Sequence, residues 1–69
     1  MSQEIRKIVA KNVKALRESK KLTREGLSLL LDFENSYISK LERKSINITI
    51  DRLAKIANYF EVDTYRLLQ

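Results

Sequence analysis

A chain of 69 residues, 43% of them hydrophobic, with one glycine and no proline, has the composition of one small folded domain and excludes a disordered, linker-like or collagen-like chain. It holds no cysteine and no histidine, which rules out disulfides and the common structural zinc sites and leaves helix packing or a partner subunit to supply stability. The net charge of +5 is uneven: residues 1–24 hold eight bases and two acids, whereas residues 51–69 hold three of each, which suggests one face for a polyanion and another for a different task.

Helical periodicity dominates from the start. From about Gln3 to Ser19, apolar residues recur at Ile5, Ile8, Val9, Val13 and Leu16 with charges between them, which predicts a first amphipathic helix. Thr23 is a good N-cap for a second helix, whose buried edge is expected at Leu27, Leu30 and Leu31. Asp32-Phe33-Glu34 reads as a short turn, with Phe33 plugging the core. A third helix is expected from about Asn35 to Arg43, with Ile38 and Leu41 facing inward. Residues 44–48 form a connector, since Ile46 and Ile48 have no second strand to pair with. Thr49 caps a fourth helix that buries Ile50, Leu53, Ile56, Ala57 and Phe60, and Asp63 caps a last short helix carrying Tyr65, Leu67 and Leu68. The fold class predicted is all-α, a compact five-helix bundle.

The second and third helices lie close together across a short turn, an arrangement that makes helices cross steeply and projects the later one from the domain. The outward face of that later helix is predicted to carry Asn35, Ser36, Ser39 and Lys40. Asn and Ser are poor helix formers, and a purely structural surface helix favours Glu, Lys and Gln. A short polar face of this kind suits the edges of bases in a DNA major groove.

The ordered set Leu16-Arg17-Glu18, Leu22 to Leu27, Ser36-Tyr37-Ile38-Ser39-Lys40-Leu41-Glu42-Arg43, Asn47-Ile48-Thr49-Ile50 and Leu53 to Ala57 resembles the helix-turn-helix domains of phage-repressor type, the Xre family. Within that family the chain looks most like the controller proteins of restriction–modification systems. The resemblance implies a lambda repressor-like DNA-binding domain over residues 1–69, with the helix-turn-helix at about 23–43 and a dimerisation region at about 46–69. It implies that Asn35, Ser36, Ser39 and Lys40 read bases, and that Arg24, Tyr37, Arg43, Lys44, Asn47 and Thr49 border the DNA backbone. It also implies a structural ion pair between Arg17 and Glu42, which removes Arg17 from the DNA contacts. The chain departs from the family pattern at Arg24, Ser28, Asp32, Ile46, Ile48 and Glu61. Asp32 and Glu61 stand where glycines are expected, and Ile46 stands where controllers carry a base.

The function expected is that of a sequence-specific regulator of transcription, a homodimer on a palindromic double-stranded DNA operator, with RNA polymerase as a further candidate partner. The alternative is an antitoxin-like or anti-repressor module that uses the same fold to bind protein. No enzyme activity, metal, cofactor or small-molecule ligand is expected. His and Cys are absent, no Gly-rich phosphate loop is present, and Ser36 and Ser39 have no identifiable base partner. The longest apolar run, Leu29-Leu30-Leu31, is far short of a membrane span, and the N-terminal residues do not read as a signal peptide, so a cytoplasmic protein is expected.

Overall fold

A computed structural model describes residues 2–69. Four α-helices follow one another, α1 (Gln3–Ser19), α2 (Arg24–Leu30), α3 (Tyr37–Glu42) and α4 (Ile50–Tyr59), and a short 3-10 helix (Thr64–Leu68) comes last. The fold class is the all-helical one expected from the sequence, except that the fifth element is a 3-10 turn and not an α-helix. There is no strand among the described residues, and Ile46 and Ile48 lie in a loop as expected.

Side-chain caps start three of the helices. Ser2, Thr23 and Thr49 each accept a hydrogen bond from the backbone N–H three residues on, at 3.2, 2.8 and 3.2 Å, which satisfies a donor left free in the first helical turn. Asp63 precedes the 3-10 helix without making the side-chain bond expected of it.

All four α-helices stop in the same way. Lys21, Asp32, Lys44 and Glu61 have φ of 56°, 60°, 62° and 59°, so each helix is followed by one residue in the left-handed conformation. The N–H of the next residue then reaches back five positions, in Leu22 to Arg17, Phe33 to Ser28, Ser45 to Lys40 and Val62 to Ala57, at 2.9–3.1 Å. This is the Schellman arrangement, which usually relies on glycine at the left-handed position. The lone glycine, Gly26, sits inside α2 and is not at a left-handed position. Three of the residues that follow the turns, Leu22, Phe33 and Val62, pack on the core, and this contact holds each turn closed.

The core is assembled from Val9 and Val13 of α1, Leu27 of α2 with Leu31 behind it, Ile38 and Leu41 of α3, and Leu53, Ile56 and Ala57 of α4, with Ile48, Phe60 and Leu67 closing it. Helix α2 packs on α3, α1 on α3, and the 3-10 helix lies against both α1 and α4. Asn12 Nδ2 donates to the Leu67 carbonyl at 3.0 Å and fastens that last element to α1.

Burial differs from expectation at three apolar positions. Leu30 is 54% exposed, Ile50 80% and Ile5 38%, while Ser28 of α2 is fully buried. With only seven residues, α2 offers the core one narrow stripe, in which Leu27 and Leu31 are buried as expected and Leu30 is not. Ile5 lies in the first turn of α1, and the buried residues of that helix begin only at Val9.

A non-glycine residue in the left-handed region costs about 1–2 kcal/mol, partly offset when glycine replaces it by the greater freedom of the unfolded chain. Glu61→Gly is therefore expected to raise Tm by about 2–6 °C in a thermal melt. No change, or a fall, would mean that the Glu61 turn carries no strain.

Candidate nucleic-acid interface

Helix α3 is only six residues long and could not persist alone. Three neighbours hold it. At its C-terminal end, Glu42 meets Arg17 of α1: Arg17 Nε donates to Oε2 at 2.7 Å and Nη2 to Oε1 at 3.1 Å. Nη1 of the same guanidinium donates to the Leu22 carbonyl at 2.7 Å, so one side chain joins the end of α1, the connector to α2 and the end of α3. Both partners are nearly buried, with side chains 9% and 6% exposed. The hydrogen bond to Glu42 is the main cause that raises the Arg17 pKa, against burial, so this guanidinium stays charged.

At its N-terminal end, α3 lacks a cap of its own: Ser36 makes no side-chain capping bond. The fully buried Ser28 hydroxyl of α2 accepts instead from the Ile38 N–H at 3.1 Å. Ser28 thus supplies the missing cap from the neighbouring helix.

The third tie comes from α4. The Arg52 guanidinium lies 4.7 Å from the Phe33 ring centroid and 4.5 Å from that of Tyr37, and the two rings meet edge to face at 4.8 Å. Arg52 also donates to both oxygens of Glu34, at 2.7 and 3.1 Å. This stack clamps the turn and the first residue of α3 onto α4 through charge and ring contacts together. Hydrogen bonding from Arg52, followed by the backbone N–H of Glu34 itself, holds the Glu34 carboxyl down at about 2. Burial raises the Tyr37 phenol, with Arg52 acting in the opposite direction.

The expected base-facing residues divide on this frame. Helix α3 begins at Tyr37, two residues later than expected, because residues 31–36 form a longer turn than the three-residue one read from the sequence. Asn35 therefore precedes the helix and lies exposed in that turn, with Nδ2 3.4 Å from Glu25 Oε2. Ser36 is exposed just before the helix, Ser39 is half-buried on it, and Lys40 is exposed. Asn35, Ser36 and Ser39 line one open concavity of about 380 Å³ with Thr23, Arg24 and Glu25 from the start of α2. Lys40 does not line it.

The expected backbone-facing residues are more dispersed. Arg24 is 56% exposed at the rim of the concavity, its Nη1 4.0 Å from Glu42 Oε1. Arg43 and Lys44 are exposed at the end of α3, and Lys44 holds the left-handed turn. The Asn47 Oδ1 accepts from Arg6 Nε of α1 at 2.9 Å, and Thr49 caps α4. The Tyr37 ring is half-buried against the Arg52 guanidinium. Arg6, Glu25, Glu34 and Arg52 were not singled out by the sequence. Glu34 and Arg52 are 18 residues apart and Arg6 and Asn47 are 41 apart, so no local spacing signals either pair.

A helix-turn-helix family model matches residues 13–67. A hypothetical transcription factor of Neisseria meningitidis serogroup B is 32% identical over 66 residues, covering 96% of this chain and 62% of its own length, so this chain spans less than two thirds of that relative. Control protein C.SmaI of Serratia marcescens is 31% identical over 65 residues, which cover 94% of this chain and 77% of that protein. Among solved structures, the crystal structure of the hypothetical transcription factor NHTF from Neisseria superposes with a TM-score of 0.91 at 31% identity, over 97% of this chain and 77% of that one.

Removing one member of a buried ion pair leaves the other charge without its partner, whereas replacing both with apolar groups of similar volume does not. Arg17→Met or Glu42→Leu alone is expected to cost about 3 kcal/mol in denaturant unfolding, and the double variant to recover most of that loss. Additive losses in the double variant would show that the pair is not coupled. The Glu34–Arg52 bridge predicts a pH effect. Because the folded-state pKa of Glu34 is lowered, its stabilisation is present above the ordinary value of 4.5 and is lost as pH falls to about 2. The Tm advantage of wild type over Glu34→Gln should shrink through that window, and a constant difference would argue against the bridge.

Proposed function

The chain belongs to the helix-turn-helix family, and we propose that it is a sequence-specific double-stranded DNA-binding regulator of transcription. The observation that carries this reading is the mounting of α3. Three elements fix it from behind, and its outer side presents Ser36, Ser39 and Lys40 beside Asn35 and the cationic Arg24. A rigid, polar, hydrogen-bonding helix edge among exposed bases is what major-groove reading requires. The names of the relatives, a transcription factor and a control protein, favour a regulator over an interaction module.

In this mechanism Arg24, Arg43 and Lys44 neutralise phosphates and release counterions, which brings the protein to any duplex. Asn47, braced by Arg6, and the start of α4 at Thr49 lie along the same loop and border the DNA backbone. Asn35 then reads adenine and Lys40 reads guanine O6 and N7, while the shorter Ser36 and Ser39 act through water or against thymine methyl groups. Tyr37 serves mainly by pinning the helix under Arg52.

The active form in this reading is a homodimer on a palindromic operator, with two copies of α3 about 34 Å apart. The exposed Ile50, Tyr65 and Leu68, in the stretch from about residue 46 to 69 where the charges balance, are the apolar surface it would use. Regulation then follows protein concentration, as in restriction–modification controllers or phage-type repressors, in the cytoplasm and in the presence of RNA polymerase.

Footprinting and binding on the DNA upstream of its own gene test this. Operator affinity should fall steeply with salt, with a concentration-dependent dimerisation step. Arg24→Ala should weaken operator and random duplex alike and lower the salt slope by about one. Asn35→Ala and Lys40→Ala should instead narrow the ratio of specific to non-specific affinity, by about tenfold each. Normal operator binding by both would leave α3 without a reading role. No binding to DNA at low salt would favour the antitoxin-like or anti-repressor alternative.

A further inference from the structure

One acid lies among the residues proposed to meet DNA. Glu25, in the first turn of α2, lines the concavity beside Arg24, Asn35, Ser36 and Ser39. No Lys or Arg pairs with it among the described residues, and its neighbour Arg24 leans toward Glu42 instead. A free carboxylate there opposes a polyanion, which must be outweighed if the face binds DNA. A carboxylate oxygen accepts hydrogen bonds, so the Asn35 amide presents its Nδ2 to Glu25 Oε2, at 3.4 Å, and keeps Oδ1 as an acceptor. The two residues that line the concavity here both carry acceptor oxygens, the Glu25 carboxylate and the Asn35 amide. In the major groove the base-edge groups that donate are the exocyclic amines, cytosine N4 and adenine N6.

We propose that Glu25, acting with Asn35, determines specificity by accepting a hydrogen bond from an exocyclic base amine, cytosine N4 or adenine N6, in the major groove. This rests on the DNA-binding reading above. Guanine and thymine offer carbonyl oxygens at their major-groove edges and so meet an unpaired carboxylate, which rejects them. The acid therefore exchanges non-specific affinity for discrimination.

The test uses the full chain, wild type and Glu25→Ala, on a pool of randomised duplexes. Wild type should enrich cytosine or adenine at one position of the recognised site, by about tenfold or more over guanine and thymine, and the base enriched tells which amine is read. In Glu25→Ala that preference should fall to about twofold or less, while affinity for random duplex rises about two- to fivefold as a charge repelled by phosphate is removed. Replacing the selected base by its analogue without the amino group should weaken wild type about tenfold and Glu25→Ala hardly at all. The proposal is overturned if the analogue weakens both proteins equally, or if the selected site is unchanged in Glu25→Ala. It is equally overturned if Glu25→Ala only lowers the melting temperature, as a residue serving solely the α2 dipole would. If wild type itself enriches no sequence and binds no duplex at low salt, the DNA-binding reading fails, a result distinct from any of these.

Discussion

The Arg17 guanidinium is the point on which the rest of the molecule depends. Its planar set of donors is divided between the Glu42 carboxylate and the Leu22 carbonyl, so the end of α1, the entry to α2 and the end of α3 share one anchor. Lysine could not do this, because a single ammonium lacks the fork that engages both carboxylate oxygens while a third donor points elsewhere. Folded domains of this size hold a margin of only several kcal/mol, and a buried charge left unpaired would consume a large part of it. Among the described residues, no buried side-chain nitrogen or oxygen lacks a hydrogen-bonding partner, so the polar interior works with the apolar core and not against it.

A helix of six residues depends on its surroundings for its shape. Arg17 grips α3 at one end, Ser28 supplies a cap at the other, and Arg52 presses on the ring of Tyr37. These ties come from three different helices, and each contacts the inner side or an end of α3. The outer side is thereby left free of structural duty. A surface held in this way presents its polar groups at low cost in ordering entropy, which is the condition for reading base edges accurately.

The turns show how closely local and tertiary forces are linked. Four helices end at left-handed residues, none of them glycine, and three of these stops are sealed by Leu22, Phe33 and Val62 sinking onto the core. Strain at the backbone is tolerated because burial just beyond it stabilises the same turn. Phe33 then has a second use as a wall of the Arg52 stack, so the turn between α2 and α3 is tied to α4.

Much of the fold was legible in the sequence. The spacing of Val9 and Val13, the caps at Thr23 and Thr49, and the inward pair Ile38 and Leu41 identify the helices and the core faces, because helix periodicity and capping are local properties. The same patterns overreached at Leu30 and Ile50, since hydrophobicity marks what could be buried and neighbouring helices decide what is. Family resemblance, and not spacing, pointed to Arg17 with Glu42. Only the tertiary structure decided that Ser28 caps α3, that Arg52 clamps Phe33, Tyr37 and Glu34, that Asn35 lies before the helix, and that Glu25 shares its concavity. These pairings join residues 10–19 positions apart across crossing helices, and no periodicity within one helix carries information about which side chain of another will arrive opposite it.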